Sequence, residues 1–212
     1  AEAGGGKVYL IEEPLAAALG AGIDIQEPRG NMIIDIGGGT TDIAVLSLGG
    51  IVKSESIRVG GDRFDDSIVR YVKKEHNLLI GEQTAEKLKI QIGTAKLNGR
   101  SDSFDIRGRD LVSGLPRVIR MTSGDVYQAI SESIGLIVGA VKLVLETTPP
   151  ELSADIIDRG IVITGGGALL HKIDQVISEE TGIPVVIAED PLACVALGSG
   201  KALDSLDILQ EG

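Results

Sequence analysis

Apolar residues cluster or alternate with polar ones over residues 32–36, 42–48 and 51–59, with the Gly49-Gly50 turn before the last run. Short runs of this kind, rich in Ile and Val, predict three strands in a β-meander. The period then changes. Phe64, Ile68, Tyr71 and Val72 share one helical face behind Asp62, the expected N-cap, and a second helix is expected from Thr84. Residues 98–121 alternate without long apolar runs, which predicts a small, half-exposed hairpin inside an inserted subdomain. From Ser123, the positions Val126, Ile130, Ile134, Ile137, Val141 and Leu145 recur at spacings of four and three, predicting a long helix that Pro149-Pro150 end. "RGIVITGGGALLHKIDQVISEETGIPVVIAEDP" then reads as strand, Gly-rich turn, helix and strand, a β-α-β unit that requires a partly parallel sheet. The chain opens with an expected strand over 8–11, an Ala-rich helix from Pro14 and a polar linker over 24–30. It closes with an expected helix over 192–206.

Composition narrows the classes. With 212 residues and 43% hydrophobic content the chain can bury a real core. Its formal charge of −11 opposes nonspecific attraction to nucleic acid, and 2% aromatic residues leave few stacking platforms, so no nucleic-acid partner is expected. Any nucleotide would need a local site. The single cysteine, Cys194, excludes an internal disulfide and reads as buried packing. His76 and His171 have no second His or Cys at ligand spacing and are expected at the surface. The longest apolar stretch, "GLIVGAVKLVL", is broken by Lys142, and no membrane span is expected.

Chemistry concentrates at "DIGGGTTD", residues 35–42. A hairpin needs one or two glycines for positive φ, whereas three permit close approach to an anion. The amides of Gly37, Gly38 and Gly39 and the hydroxyls of Thr40 and Thr41 could converge on phosphate oxygens, with Asp35 facing Mg²⁺ through water. The alternative is a decorated hairpin, with a structural role expected for Asp42. A second Gly-rich turn, Gly165, Gly166 and Gly167, follows a strand and opens a helix, where a ligand could lie against backbone or where the turn is merely tight. Glu86, Lys89 and Gly93 fall on one helical stripe, as a wall of a nucleoside pocket or a solvated charged face. Glu12 and Glu13 precede Pro14; one of them could position a water for attack on a terminal phosphate, or serve as a helix-start carboxylate.

In order and spacing, "LIEEPLAAALGAG", "DIGGGTTDIAVLSL", "GGDRFD", "AEKLKIQIG" and "VITGGGALL" resemble the actin/Hsp70/sugar-kinase superfamily of ATPases, and within it the MreB/Mbl family of bacterial actin homologues. The resemblance implies an α/β, actin-like (ribonuclease H-like) fold, with a mixed sheet flanked by helices and a smaller inserted α+β subdomain. It implies ATP and Mg²⁺ as ligands, Asp35 to Thr41 as the second phosphate loop, and Glu86 and Lys89 as adenosine contacts. Gly165 to Gly167 would form the adenosine loop and Glu13 would position the water. Gly93 stands where chaperone relatives carry a serine. The implied function is ATP-dependent assembly into cytoplasmic, membrane-associated filaments that guide cell shape and wall synthesis. The implied partners are further copies, cell-shape and wall-synthesis proteins, and the inner membrane surface through a region these residues do not contain. An Hsp70-like chaperone and a small-molecule kinase are the alternatives within the superfamily.

No Asp-x-Gly-Thr first phosphate loop occurs here, so the resemblance implies the C-terminal two-thirds of such a chain. The expected division is 1–30 as remnant of a first domain and linker, 31–64 with 123–190 as the second domain, 65–122 as the inserted subdomain, and 191–212 as a helix packing on the first domain. The chain by itself is then expected to be inactive, with apolar faces exposed on the helix from Pro14 and on the helix near Val195.

Overall fold

Strands β1 (Asn31–Ile36), β2 (Thr41–Ser47) and β3 (Gly50–Ile57) form the expected antiparallel meander in a computed structural model that describes residues 10–97 and 99–204. Strands β7 (Ile161–Thr164) and β8 (Val185–Ile187) extend it in parallel on the other side of β1, giving the order β3-β2-β1-β7-β8. The sheet is therefore mixed, and β1 is its centre. Alternation along the strands divides the core in two. Met32, Ile34, Ile36, Ile43 and Val45 face the larger cluster, whereas Ile33, Ala44 and Leu46 face a smaller one with Ala17, Ala18 and Ile25.

The larger cluster is covered by α2 (Gly61–His76), α3 (Glu82–Ile92), α4 (Ser123–Glu146) and α6 (Ile173–Thr181). Helix α4 starts at Ser123 because Thr122 and Asp125 form a reciprocal capping box, with Thr122 Oγ1 accepting from the Asp125 amide at 3.2 Å and Asp125 Oδ2 accepting from the Thr122 amide at 2.8 Å. At 24 residues α4 is long and apolar enough to cross a membrane on length and composition, contrary to expectation. Its apolar side, from Val126 through Val144, is buried in the core instead. The half-exposed hairpin is present as β5 (Ser103–Asp110) and β6 (Pro116–Thr122), joined by the two-residue β4 (Leu78–Leu79) into a second small sheet.

Helix α1 (Glu13–Gly20) and helix α7 (Cys194–Asp204) pack together beside the smaller cluster. Their contact depends on missing side chains. A Cβ on Gly198 would lie 1.7 Å from the Ala16 carbonyl oxygen, and one on Gly20 would lie 1.7 Å from that of Cys194. The faces expected to be exposed on these helices are thus partly buried against each other, while Leu192, Leu197 and Leu203 remain exposed.

Several boundaries depart from expectation. Of the strand expected over 8–11, residues 8 and 9 lie outside the described residues, and Leu10 and Ile11 have no regular structure. The N-cap of α2 is Gly60, not Asp62, and α3 begins at Glu82 rather than Thr84. The Gly-rich turn after β7 opens a four-residue 3₁₀ turn, Gly166–Leu169, and α6 starts only at Ile173. Pro149-Pro150 do end α4, but Pro150 also begins an unexpected helix, α5 (Pro150–Arg159), in the first-turn position where its missing N–H is harmless. Both histidines are half-buried rather than at the surface.

Candidate functional site

Because β1 and β7 are neighbours and parallel, the turns that follow them emerge at the same edge of the sheet. This is where ligands of open α/β sheets bind. The Gly37–Gly39 corner and the Gly165–Gly167 turn lie there side by side, and packing explains part of their glycine content. A Cβ on Gly165 would lie 2.4 Å from the Ile36 carbonyl oxygen and 2.4 Å from Asp35 Oδ1, and one on Gly167 would lie 2.2 Å from Ile36 Cγ2. Gly165 also has a φ of 82°, in the left-handed region. By contrast, nothing within 4 Å would meet a Cβ on Gly39, so packing gives no reason for that glycine.

The first corner is held rigid by its own donors. The Gly37 amide donates to the Thr40 carbonyl at 2.9 Å, Thr40 Oγ1 donates to Asp42 Oδ2 at 2.9 Å, and the buried Thr41 Oγ1 donates to the Val59 carbonyl at 2.6 Å. The Gly37 N–H and the hydroxyls of Thr40 and Thr41 are therefore engaged within the protein, whereas they were expected to converge on an anion. The amides of Gly38 and Gly39 donate to no acceptor among the described residues. They are the unpaired backbone donors of the loop, the kind of group that can bind an anion. The carbonyls of Gly37 and Gly38 in turn accept from the first amides of α2, Gly61 N at 2.9 Å and Asp62 N at 2.8 Å. This brings the start of α2 against the loop.

A cleft of about 440 Å³ opens between these parts. Gly37 and Gly38 line one side, Gly166, Gly167, Leu169 and Leu170 another, and Glu86, Lys89 and Ile90 of α3 face them. Its size suits a small-molecule ligand. Sequence reasoning singled out the glycines, Glu86 and Lys89 but missed Phe64, Asp65, Ile90, Leu169 and Leu192. Ile90, Leu169 and Leu192 are large apolar residues left exposed, at 65%, 59% and 69%, and they converge on the cleft walls. The signal was available for Ile90, which adjoins Lys89 on the Glu86 stripe. Gly39, Thr40, Thr41, Gly165, Asp35 and Glu13 do not line the cleft itself.

Lys89 is more constrained than expected. Its Nζ donates to Asp65 Oδ2 at 2.8 Å and to the Gly61 carbonyl at 3.1 Å, and both side chains of the ion pair are largely buried. Burial raises the Asp65 pKa, with the hydrogen bond and charge of Lys89 acting against it. Asp65 Oδ1 is buried without a partner among the described residues.

Asp35 lies at the end of β1, in register with Asp42 on β2 and Thr164 on β7. Burial first, then the charge of Glu13 at the start of α1 and that of Asp42, push its pKa up to about 6. Thr164 favours the ionised form, yet its hydroxyl makes no hydrogen bond of normal geometry. A buried carboxylate with two acidic neighbours is electrostatically disposed toward a cation. Among the described residues no three ligating side chains converge on a point, so direct caging by protein is not the arrangement. A water-rich Mg²⁺ site, which needs only one or two carboxylates and substrate phosphates, fits this donor set.

The mixed sheet, the paired glycine turns and the facing helix define an actin-like α/β fold, the class to which solved neighbours also point. MreB5 of Spiroplasma citri bound to AMPPNP superposes with a TM-score of 0.95 at 43% identity, over 99% of this chain and 63% of that one. The chain belongs to the MreB/Mbl family, whose sequence model, described as MreB/Mbl protein, matches residues 1–211. It is 58% identical over 210 residues to the cell shape-determining protein Mbl of Bacillus subtilis and 52% identical over 206 residues to the cell shape-determining protein MreB of Escherichia coli. These alignments cover 99% and 97% of this chain but 63% and 59% of the relatives, so the chain spans about six-tenths of their length.

Proposed function

We propose that this chain forms the nucleotide-binding part of an ATP-driven, actin-like filament protein that acts in bacterial cell shape and in guiding wall synthesis. The observation that carries the reading is the cleft in which two glycine turns from adjacent parallel strands face Glu86 across a space of ligand size. A relative 43% identical to this chain is described as bound to AMPPNP. The Gly38 and Gly39 amides would bind phosphate oxygens. Glu86 would accept from the sugar, and Ile90, Leu169 and the Gly166–Gly167 backbone would cover the base. Asp35 would hold Mg²⁺ through water. When bound, the ion would neutralise charge on the phosphoryl oxygens. Glu13, close enough to Asp35 to raise its pKa, would orient the attacking water.

Self-assembly, contacts with cell-shape and wall-synthesis proteins, and filaments at the cytoplasmic membrane surface belong to the same reading, by kinship with the named relatives. Phosphoryl transfer needs donors on both sides of the terminal phosphate, and these residues supply one phosphate loop, so the chain alone should turn over little ATP. The test uses the full-length protein. Sedimentation with Mg²⁺-ATP should pellet filaments, and Glu13→Gln should keep nucleotide affinity while slowing hydrolysis about 10²-fold. Unchanged turnover in Glu13→Gln would remove that residue from the mechanism. Absence of an ATP-dependent pellet would remove the filament reading.

A further inference from the structure

The end of the cleft away from the phosphate loop has two walls from distant parts of the chain, Glu86 and Ile90 on α3 and Gly167, Leu169 and Leu170 in the turn after β7. These walls are tied together just beyond the cleft. The Ala95 amide, which follows α3, donates to the His171 carbonyl, which follows the turn, at 2.8 Å. Beside that bond, His171 Nδ1 lies 3.2 Å from Thr94 Oγ1, joining residues 77 positions apart. Thr94 and Ala95 are both buried, so the junction is packed as well as hydrogen-bonded. Lys172, the next residue, has a φ of 63°, a conformation that non-glycine residues keep only where surrounding contacts hold them.

Counting donors fixes the direction of the side-chain bond. The Thr94 hydroxyl has one hydrogen, and the Lys96 carbonyl lies 3.2 Å away to accept it, while the Lys96 amide donates back to Thr94 Oγ1 at 3.3 Å. One lone pair of the hydroxyl remains, so His171 donates to it from Nδ1. Burial first, then the charges of Arg100 and Lys172, hold the His171 pKa below the ordinary 6.5. At neutral pH the ring is therefore neutral, with its single proton on Nδ1. A neighbouring ion pair, Lys96 with Glu179 on α6, runs between exposed side chains and contributes little. The phosphate loop needs none of these contacts. It is fixed by the Gly37, Thr40 and Thr41 bonds and by the first amides of α2.

We propose that His171 and Thr94 are positioning residues for the nucleoside end of the cleft: their bond straps the end of α3 to the turn after β7 and sets the width of the slot that base and sugar enter. This inference rests on the reading of the cleft as a nucleotide site. Neither side chain lines the cleft, so each acts on a ligand only through the walls it holds. The strap separates the two ends of the ligand, because widening this slot weakens groups held between α3 and the turn and leaves the phosphate loop as it was.

Titration calorimetry of the full-length protein with Mg²⁺-ATP, adenosine and tripolyphosphate tests it, with thermal melts to verify folding. Thr94→Val and His171→Ala should each weaken ATP and adenosine in parallel, about fivefold, while tripolyphosphate stays within about twofold. Thr94→Ser, which keeps the hydroxyl, and His171→Asn, whose amide can donate from near the position of Nδ1, should recover most of the loss. The His171 pair decides the matter if Thr94→Val does not fold. A merely structural role would lower the melting temperature and leave the affinities of the folded variants unchanged, which would overturn the proposal. Equal losses for all the ligands, or no recovery in the conservative variants, would overturn it too. A wild-type protein that binds neither ATP nor adenosine would remove the nucleotide reading itself, and the inference with it.

Discussion

At neutral pH the Asp35 carboxylate opposes the fold from its place at the end of β1. Its folded-state pKa of about 6 lies above the ordinary 3.8, so the folded protein holds more protons than the unfolded chain between about pH 4 and pH 6. Stability therefore falls as pH rises through that window. Above it, the ionised carboxylate costs the fold about 3 kcal/mol. Asp35→Asn should melt at a higher temperature than wild type at pH 7.5, with the gap closing near pH 4, while Mg²⁺-dependent ATP affinity drops at least tenfold. Melts at the two pH values beside a titration with and without Mg²⁺ would check both halves. A variant less stable than wild type at pH 7.5 would show that the charge is already compensated within the protein.

Residue types in the sequence displayed the donors of the site but not their partners. Three glycines, two threonines and a lysine all read as ligand groups, yet the Gly37 amide, the Thr40 and Thr41 hydroxyls and the Lys89 ammonium are engaged by the Thr40 carbonyl, Asp42, Val59, Asp65 and Gly61. Such pairings join residues from different elements, as Thr41 with Val59 and Lys89 with Asp65 do, and follow from how those elements pack. Phe64, Asp65 and Leu192 escaped notice for the same reason, since only the docking of α2 and of the segment before α7 brings them to the cleft.

Among the elements, the meander and α4 were legible because their periods are strong and their ends carry turn or capping residues. Helix α5 was not, because Pro149-Pro150 signal both an end and a beginning, and β4 is only two residues long. The two glycine turns can be told apart by sterics. Gly167→Ala would push a methyl group into Ile36 and should cost about 1–3 kcal/mol of stability. Gly39→Ala meets open space at a negative φ, so its melting temperature should stay close to wild type while ATP affinity falls. Chemical denaturation of both variants beside ATP titration checks the contrast. Equal destabilisation by the two substitutions would show that the first corner is also set by packing.

At the scale of the molecule, the sheet separates two faces. One carries α2, α3 and α4, with the walls of the cleft; the other carries α1 and α7, with Glu13 at the start of α1. The α1–α7 contact should therefore govern hydrolysis separately from binding. Gly198→Ala would force the helices apart at the Ala16 carbonyl, lowering the melting temperature and displacing Glu13. In the full-length protein, turnover should fall more than ATP affinity, as steady-state hydrolysis and equilibrium titration would show. An equal fall in both would mean that α1 supports the cleft directly.

Amide hydrogen exchange with and without Mg²⁺-ATP reports whether both glycine turns and the α3 wall act on one nucleotide. A single shared site requires ATP to slow exchange in segments 36–42, 82–93 and 164–170 together, with the largest effect at the free amides of Gly38 and Gly39. Protection confined to a different part of the chain, or none in these three segments at saturating ATP, would contradict it.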